Sequence, residues 1–323
     1  MQTLLLSGDD VRALLTPKDA IKAVDSALAA HGRGESVMPA KVYLPLPAFD
    51  GDFRGMPVYL DGLAGLKWVN SHPMNPANHG LPAVLAVFIL SDPRTAAPLA
   101  IMDATGLTAM RTGAAAAVAT KHLAVSDVRT LGIIGCGAQA RTVLACHRQV
   151  MNIEEIRLHD RAEEAARELA AEIKDIPVRI GDVTEAAGCD VVCTLTPSRE
   201  PIVPAAAIRP GTHINAMGAD APGKQELDPA ILQHARVFVD DWHQGCESGE
   251  VNVPLASGLL RREQIIASLG EVIARRATGR LSPSDVTVFD STGLAVQDLA
   301  VARGVYERAR ASGYGTDFEL VRP

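Results

Sequence analysis

Five charged residues stand in unusual settings along this chain. Lys41 follows Pro39-Ala40 and begins a strand pattern, and Arg54 sits in Phe53-Arg54-Gly55-Met56-Pro57. Lys67 lies inside the apolar run Gly65-Leu66-Lys67-Trp68-Val69-Asn70, and Arg111 lies in Ala109-Met110-Arg111-Thr112-Gly113, near the start of an Ala-rich helical pattern. Asp220 falls in Met217-Gly218-Ala219-Asp220-Ala221-Pro222-Gly223-Lys224, just past a strand pattern. Taken singly, a Lys or Arg in a strand is more often solvent-facing, and an Asp in a loop is more often a turn or cap residue. Taken together, several cations and one acid suit a small carboxylate. Arg111 can clamp a carboxylate bidentately, a lysine can polarise a carbonyl or imine, and Asp220 can move protons.

Groups of this kind need a scaffold, and the sequence supplies one. The run Thr130-Leu131-Gly132-Ile133-Ile134-Gly135-Cys136-Gly137-Ala138-Gln139-Ala140 is apolar, ends in Gly-x-Gly-x-x-Ala, and passes at once into a helical pattern. This spacing is that of a dinucleotide-binding turn. Gly135 permits the tight turn, Gly137 the close approach of a pyrophosphate, and Ala140 the packing of helix on strand. The phosphates are expected at the helix N-terminus, where free N–H groups and the macrodipole favour anions. Ile156-Arg157-Leu158-His159-Asp160 reads as the next strand, ending in the acid expected to hold the ribose hydroxyls of NAD. Arg161 beside it could instead accept a 2′-phosphate.

Length and composition bound the rest. A chain of 323 residues suggests two domains. With 47% hydrophobic and only 4% aromatic residues, the core must be built mainly from Ala, Val, Leu and Ile. A net charge of −7 argues against a nucleic-acid partner. No segment approaches the ~20 apolar residues of a membrane span, and Met1-Gln2-Thr3 lacks the basic start of a signal peptide. Cys136, Cys146, Cys189, Cys193 and Cys246 are odd in number and show no metal-type spacing, so they read as reduced thiols in a cytoplasmic protein.

Along the chain, Thr3 to Leu6 reads as a strand, and Thr16-Pro17-Lys18-Asp19 opens a helix reaching about His31. Strand patterns follow at Lys41–Leu46, Met56–Leu60, Gly65–Asn70, Ala83–Leu90 and Pro98–Asp103, spaced as an antiparallel or mixed sheet. Leu107 to Leu123 is helical. From Arg129 strands and helices alternate, with strands at 129–134, 155–159, 178–180, 191–194, 212–216, 236–240 and 286–289. The expected class is α/β: a Rossmann doubly wound parallel sheet plus a smaller α+β substrate and dimerisation domain. The helix from Leu294 to about Arg310 lies beyond the last Rossmann strand and could return to the first domain. The expected division is 1–124 with 295–323, and 125–294.

The chain resembles the ornithine cyclodeaminase/mu-crystallin family, and within it the archaeal-type alanine dehydrogenases. The resemblance is carried by Met38-Pro39-Ala40-Lys41-Val42-Tyr43-Leu44, Gly65-Leu66-Lys67-Trp68-Val69-Asn70-Ser71-His72-Pro73, Met110-Arg111-Thr112-Gly113-Ala114-Ala115 and Thr212-His213-Ile214-Asn215-Ala216-Met217-Gly218-Ala219-Asp220. Pro222-Gly223-Lys224-Gln225-Glu226-Leu227 and Phe289-Asp290-Ser291-Thr292-Gly293-Leu294-Ala295 complete it. It implies a homodimer formed by the first domain and a 2-oxo, imino or amino acid bound between the domains. By the same resemblance Lys67 and Arg111 bind the substrate carboxylate, Asp220 is the acid/base, and Lys41 and Arg54 lie near the reacting carbon. Cyclodeaminases carry an acid where this chain has Arg54, which would repel ornithine's distal amine.

Contacts to NAD are expected at Gly135, Gly137, Ala138 and Gln139 of the turn, at Asp160 and Arg161, and at Thr112 beside Arg111. Further contacts are expected at Thr194, Thr196, Pro197 and Ser198, at Met217, Gly218 and Asp220, and at Ser291, Thr292 and Gly293. The reaction expected is the NAD-dependent interconversion of L-alanine with pyruvate and ammonia through an imine. Alternatives on the same imine chemistry are a reductase of pyrroline- or piperideine-2-carboxylate and an ornithine cyclodeaminase. The non-enzyme alternative is a mu-crystallin-like NAD(P)H-binding protein. No metal is expected: His243, Cys246 and Glu247 lack a complete ligand spacing. His72, Asn75, Asn78 and His79 form a turn-rich loop.

Overall fold

A computed structural model describes residues 2–322. The chain divides into two compact units, Met1–Arg111 with Leu294–Pro323, and Thr112–Gly293.

The first unit is built on a mixed sheet. Its strand order is Thr316–Glu319, Gln2–Leu6, Pro98–Asp103, Ala86–Ser91, Leu63–Ser71, Gly51–Leu60 and Ser36–Val37, with Val42–Leu46 also paired to Gly51–Leu60. Gln2–Leu6 and Pro98–Asp103 pair in parallel and the other pairs are antiparallel. Helices Pro17–Gly32 and Ala295–Ser312 pack on each other, and the latter also covers the strands Gly51–Leu60 and Leu63–Ser71. Thr16 caps the first of these helices, with Pro17 at its first position. Period-2 alternation sorts the Leu63–Ser71 strand: Lys67 and Val69 are buried while Leu66 and Trp68 are exposed.

The second unit is a parallel sheet in the order Val178–Ile180, Glu155–His159, Thr130–Ile134, Val191–Thr194, His213–Ala216, Thr287–Asp290, Arg236–Val239, Ile265–Ser268. The strand order reverses beside Thr130–Ile134, the switch point at which α/β sheets bind ligands. Three central strands, Val191–Thr194, His213–Ala216 and Thr287–Asp290, are buried along their whole length, as expected of a sheet covered on both faces. The strand Ile265–Ser268 was not expected from sequence, because four residues between a 3₁₀ turn and a Ser268–Glu271 capping box carry too little periodicity.

The division falls inside the helix Thr105–Leu123, not near Ala124 as the sequence pattern suggested. The second unit holds the helix's later turns tightly. A Cβ on Gly113 would lie 2.4 Å from the Thr142 carbonyl oxygen, so only glycine permits that approach. Thr120 is bonded to His147 and Asn215, and the Leu123 carbonyl accepts from Arg280 and Thr287. The helix Ala295–Ser312 falls in the first unit.

Candidate active site

Lys67 and Arg111 share one partner in the first unit. Alternation places Lys67 on the covered face of its strand, with no exposed surface. Its Nζ lies 2.7 Å from Asp298 Oδ2, and Asp298 is likewise wholly buried. Arg111 donates from Nε to Asp298 Oδ1 at 3.1 Å and from Nη1 to Gln297 Oε1 at 3.3 Å. Of the five guanidinium N–H groups, three remain for another acceptor. The Lys67–Asp298 contact is close enough for an ion pair but is not directed as a hydrogen bond, so Lys67 Nζ, Asp298 Oδ2 and Gln297 Nε2 are all buried without a hydrogen bond among the described residues. Native interiors rarely leave such groups unmatched, which makes their gathering the candidate site of this unit. Burial first, and then the positive charge of Arg111, lower the Lys67 ammonium to about 7 against the opposing pull of Asp298.

Lys41 lies just before Val42–Leu46, half-buried, and its charge is felt at Lys67. Arg54 is buried, but Asp52 forks it, with Nε and Nη2 at 2.9 and 3.0 Å from the two carboxylate oxygens. Its guanidinium also lies over the Tyr43 ring. The expectation that Arg54 repels a substrate amine therefore needs correction: Asp52 balances its charge locally.

Gly135 adopts φ +97°, and its N–H donates to the His159 carbonyl, joining the turn to the neighbouring strand. Gly137 is the N-cap of helix Ala138–His147 and supplies no capping side chain. A Cβ built there would meet nothing within 4 Å, so no protein atom demands glycine. The helix start is thus left without a side-chain cap, the setting in which free N–H groups suit an anion. Ala140 is fully buried, as close helix–strand packing requires. Asp160 ends its strand as expected, yet it also builds the turn: Oδ2 accepts from Cys136 N at 2.7 Å and Oδ1 from Ala162 N at 2.8 Å. Ala138 and Arg161 are exposed and Gln139 half-buried.

Several other residues expected at the cofactor face inward. Thr194 is completely buried, and its hydroxyl donates to Glu226 Oε2 at 2.6 Å, which corrects its expected contact with NAD. The Thr196 N–H and hydroxyl both donate to Glu226 Oε1, and Gly218 N donates to Oε2. Ser291 and Thr292 hydroxyls and the Gly293 N–H converge on buried Asp240. The Ser198 hydroxyl donates to the Glu200 carbonyl, next to exposed Pro197. Met217 and Thr112 are nearly buried. Glu226 and Asp240 shape loops at the carboxyl edge of the sheet, a role the sequence pattern did not disclose.

Asp220 follows the strand His213–Ala216 and is half-buried. Lys224 Nζ lies 2.6 Å from Asp220 Oδ1. Asn252 fastens this loop, accepting from Gly223 N and donating to the Lys224 carbonyl. Lys41, Arg54, Lys67 and Arg111 thus belong to the first unit, while Asp220 and every expected cofactor residue belong to the second. Asp298, Gln297 and Lys224 were missed from sequence; the one signal for Asp298 was an acid within the apolar run from Leu294 to Val301. Elsewhere, His72 pairs with Asn70 at 2.8 Å beside the turn-rich loop, and His243 faces Glu247 at 3.4 Å on the exposed side of helix Trp242–Ser248.

The sequence model of the ornithine cyclodeaminase/mu-crystallin family matches residues 1–313. The chain belongs to this family. It is 46% identical over 324 residues to the alanine dehydrogenase of Archaeoglobus fulgidus, covering 100% of both chains. A solved archaeal alanine dehydrogenase dimer with bound NAD superposes with a TM-score of 0.96 at 46% identity, over 99% of this chain and 100% of that one. The Thermococcus litoralis Delta(1)-pyrroline-2-carboxylate reductase, solved with NADH and L-proline, superposes with a TM-score of 0.95 at 36% identity, over 98% and 100%.

Proposed function

We propose that this family member is an NAD-dependent amino acid dehydrogenase of the alanine dehydrogenase type, interconverting L-alanine with pyruvate and ammonia. The observation that carries this reading is the buried pair Lys67 and Arg111 on one carboxylate, Asp298, with N–H donors to spare. Two cations against one anion leave a net positive charge that a substrate carboxylate balances. The open N-terminus at Gly137 and the acid Asp160 suit NAD, and the likeness to NAD- and NADH-bound relatives supports it. When bound, NAD accepts or supplies the hydride.

The chain's own residues then have separate tasks. Lys67 and Arg111 hold the carboxylate, and a forked guanidinium fixes its orientation. Lys41 adds positive charge and suits the carbonyl oxygen of a 2-oxo acid. Asp220 takes and returns the protons lost and gained as ammonia condenses with the carbonyl. The first unit is the substrate-binding and dimerisation domain, and the second the NAD-binding domain. A homodimer is supported by the archaeal relative and by an apolar sheet face on the first unit, where Leu66, Trp68 and Val87 are 36%, 44% and 43% exposed. Four buried cysteines that form no disulfide among the described residues suit a reducing cytoplasm, and no described helix is long and apolar enough to cross a membrane.

A second reading is reduction of a cyclic imino acid. Neutralisation of Arg54 by Asp52 favours it, because a ring or basic side chain meets no bare cation there. The test is a panel of 2-oxo acids with ammonia, cyclic imines and ornithine, followed through NADH absorbance and ammonia release. Pyruvate with ammonia should oxidise NADH fastest. Cyclic imines reduced while pyruvate is ignored would select the reductase, and ammonia from ornithine without net NADH the cyclodeaminase.

A further inference from the structure

We propose that Asp298 is the positioning residue of the substrate-carboxylate grip: it keeps Lys67 protonated and aims the Arg111 guanidinium. The inference rests on the reading of Lys67 and Arg111 as carboxylate ligands and goes beyond it by making the grip depend on a third, anionic side chain.

The geometry argues for this role. Asp298 stands at the fourth position of the helix Ala295–Ser312, where it projects from the first turn. One oxygen lies 2.7 Å from Lys67 Nζ and the other accepts a hydrogen bond from Arg111 Nε at 3.1 Å. Its neighbour Gln297 accepts a hydrogen bond from Nη1, and the same Gln297 oxygen accepts from the Leu294 N–H at the helix start. The guanidinium is therefore held along two edges by one helical turn, with its remaining donors directed elsewhere. All of these side chains are buried or nearly so.

The charges around Lys67 show why an anion is needed there. Its own strand brings no other ionisable group near it. The paired strand places Met56 opposite, the next strand places Phe88 opposite, and Arg54 of the paired strand is neutralised by Asp52. The groups felt at Lys67 are Arg111, Asp298 and Lys41, two positive and one negative. Remove Asp298 and a buried ammonium faces only cations, so Lys67 loses its proton and half of the grip loses its charge. A substrate carboxylate does the opposite, adding a second anion and stabilising the proton.

The decisive measurement is calorimetric titration of the NAD-loaded protein with oxamate, an unreactive pyruvate analogue, from pH 6 to 9 in buffers of different ionisation enthalpy. The wild type should bind oxamate with uptake of up to one proton above pH 7, its affinity falling as pH rises. Asp298→Asn should move that fall about one pH unit or more toward acid, making binding at pH 8 at least about tenfold weaker, while NADH affinity is unchanged. Asp298→Glu should recover part of the profile. An Asp298→Asn protein with wild-type pH dependence and intact NADH binding overturns the proposal. If that variant does not fold, Asp298→Glu decides: oxamate affinity identical to wild type at every pH in that variant also overturns the proposal, because a carboxylate displaced by a methylene cannot hold Lys67 and aim the guanidinium equally well. Oxamate binding without turnover of any amino, imino or oxo acid would sink the dehydrogenase reading alone, whereas no oxamate binding would sink both.

Discussion

Lys224 Nζ and Asp220 Oδ1 lie 2.6 Å apart across one turn of a loop that Asn252 fastens from outside. The ion pair orients the carboxylate proposed to move protons. Asp220→Asn keeps the shape and removes the basicity, so turnover of pyruvate with ammonia should fall by ~10²–10⁴-fold, with NADH binding preserved. Lys224→Met removes the orienting charge and should cost about tenfold in kcat/KM, close to 1.4 kcal/mol. Lys224→Arg should keep most activity. Steady-state kinetics of the three variants, with NADH fluorescence titration, checks both residues.

Arg111→Lys conserves the charge but cannot serve Asp298, Gln297 and a substrate together. The expected loss in kcat/KM is ~2–3 kcal/mol, typical of a charged hydrogen-bond pair. NADH affinity should hardly change. Unaltered kinetics in this variant would remove Arg111 from the site.

NADH should bind more tightly than NADPH, because the Asp160 carboxylate repels a 2′-phosphate. Since Asp160 also accepts from Cys136 and Ala162 N–H groups, Asp160→Ala should weaken NADH binding and relax the preference, and it should also lower the melting temperature. Comparable NADPH and NADH affinities in the wild type would count against this role and turn attention to Arg161.

Acid should loosen the second unit through two buried histidines. Burial lowers His147 to about 4 and His213 to about 3. His147 Nδ1 donates to the Val143 carbonyl and Nε2 accepts from Thr120, which in turn accepts from Asn215. The unfolded chain takes up these protons near pH 6.5 and the folded chain does not. Their contribution is therefore constant above pH 6.5, falls as the pH drops from 6.5 to about 4 and 3, and is then flat, with ~3 kcal/mol at stake for His147 alone. Urea unfolding at pH 7.5, 5.5 and 4.5 measures the slope. In His147→Gln the slope should be shallower, whatever that variant's stability at pH 7.5.

Leu66, Trp68 and Val87 occupy one exposed face of the first unit's sheet, alternating with buried neighbours. Trp68→Glu should convert a dimer to a monomer in sedimentation velocity while leaving NADH binding intact. A wild-type monomer at micromolar concentration would refute the dimer outright.

Sequence alone determined the parts whose signals are local. The Rossmann turn was legible because a tight turn and a close packing contact each demand a small residue at a set offset, which Gly135 and Ala140 supply, and Gly137 stands at the offset kept for a pyrophosphate. The burial of Lys67 was not legible: alternation with the apolar Leu66 and Trp68 points a lysine outward, and only the helix packed on the strand's other face reverses the two sides. The Asp52–Arg54 fork was legible in principle, since residues two apart share a strand face, but the strand begins at Gly51 and not at Met56 as expected. Only tertiary structure decided which charges meet. Arg111 and Asp298 are 187 residues apart, and nothing local requires a helix near the chain's end to carry the partner of a strand lysine and a helix arginine. The same holds for Glu226 and Asp240, which draw Thr194, Thr196, Ser291 and Thr292 inward. Hydroxyls bond to whatever acceptor the packed fold brings within reach, and a buried acid must gather donors wherever the chain returns. Residue type and spacing do not encode that choice; the packing of strands and loops does.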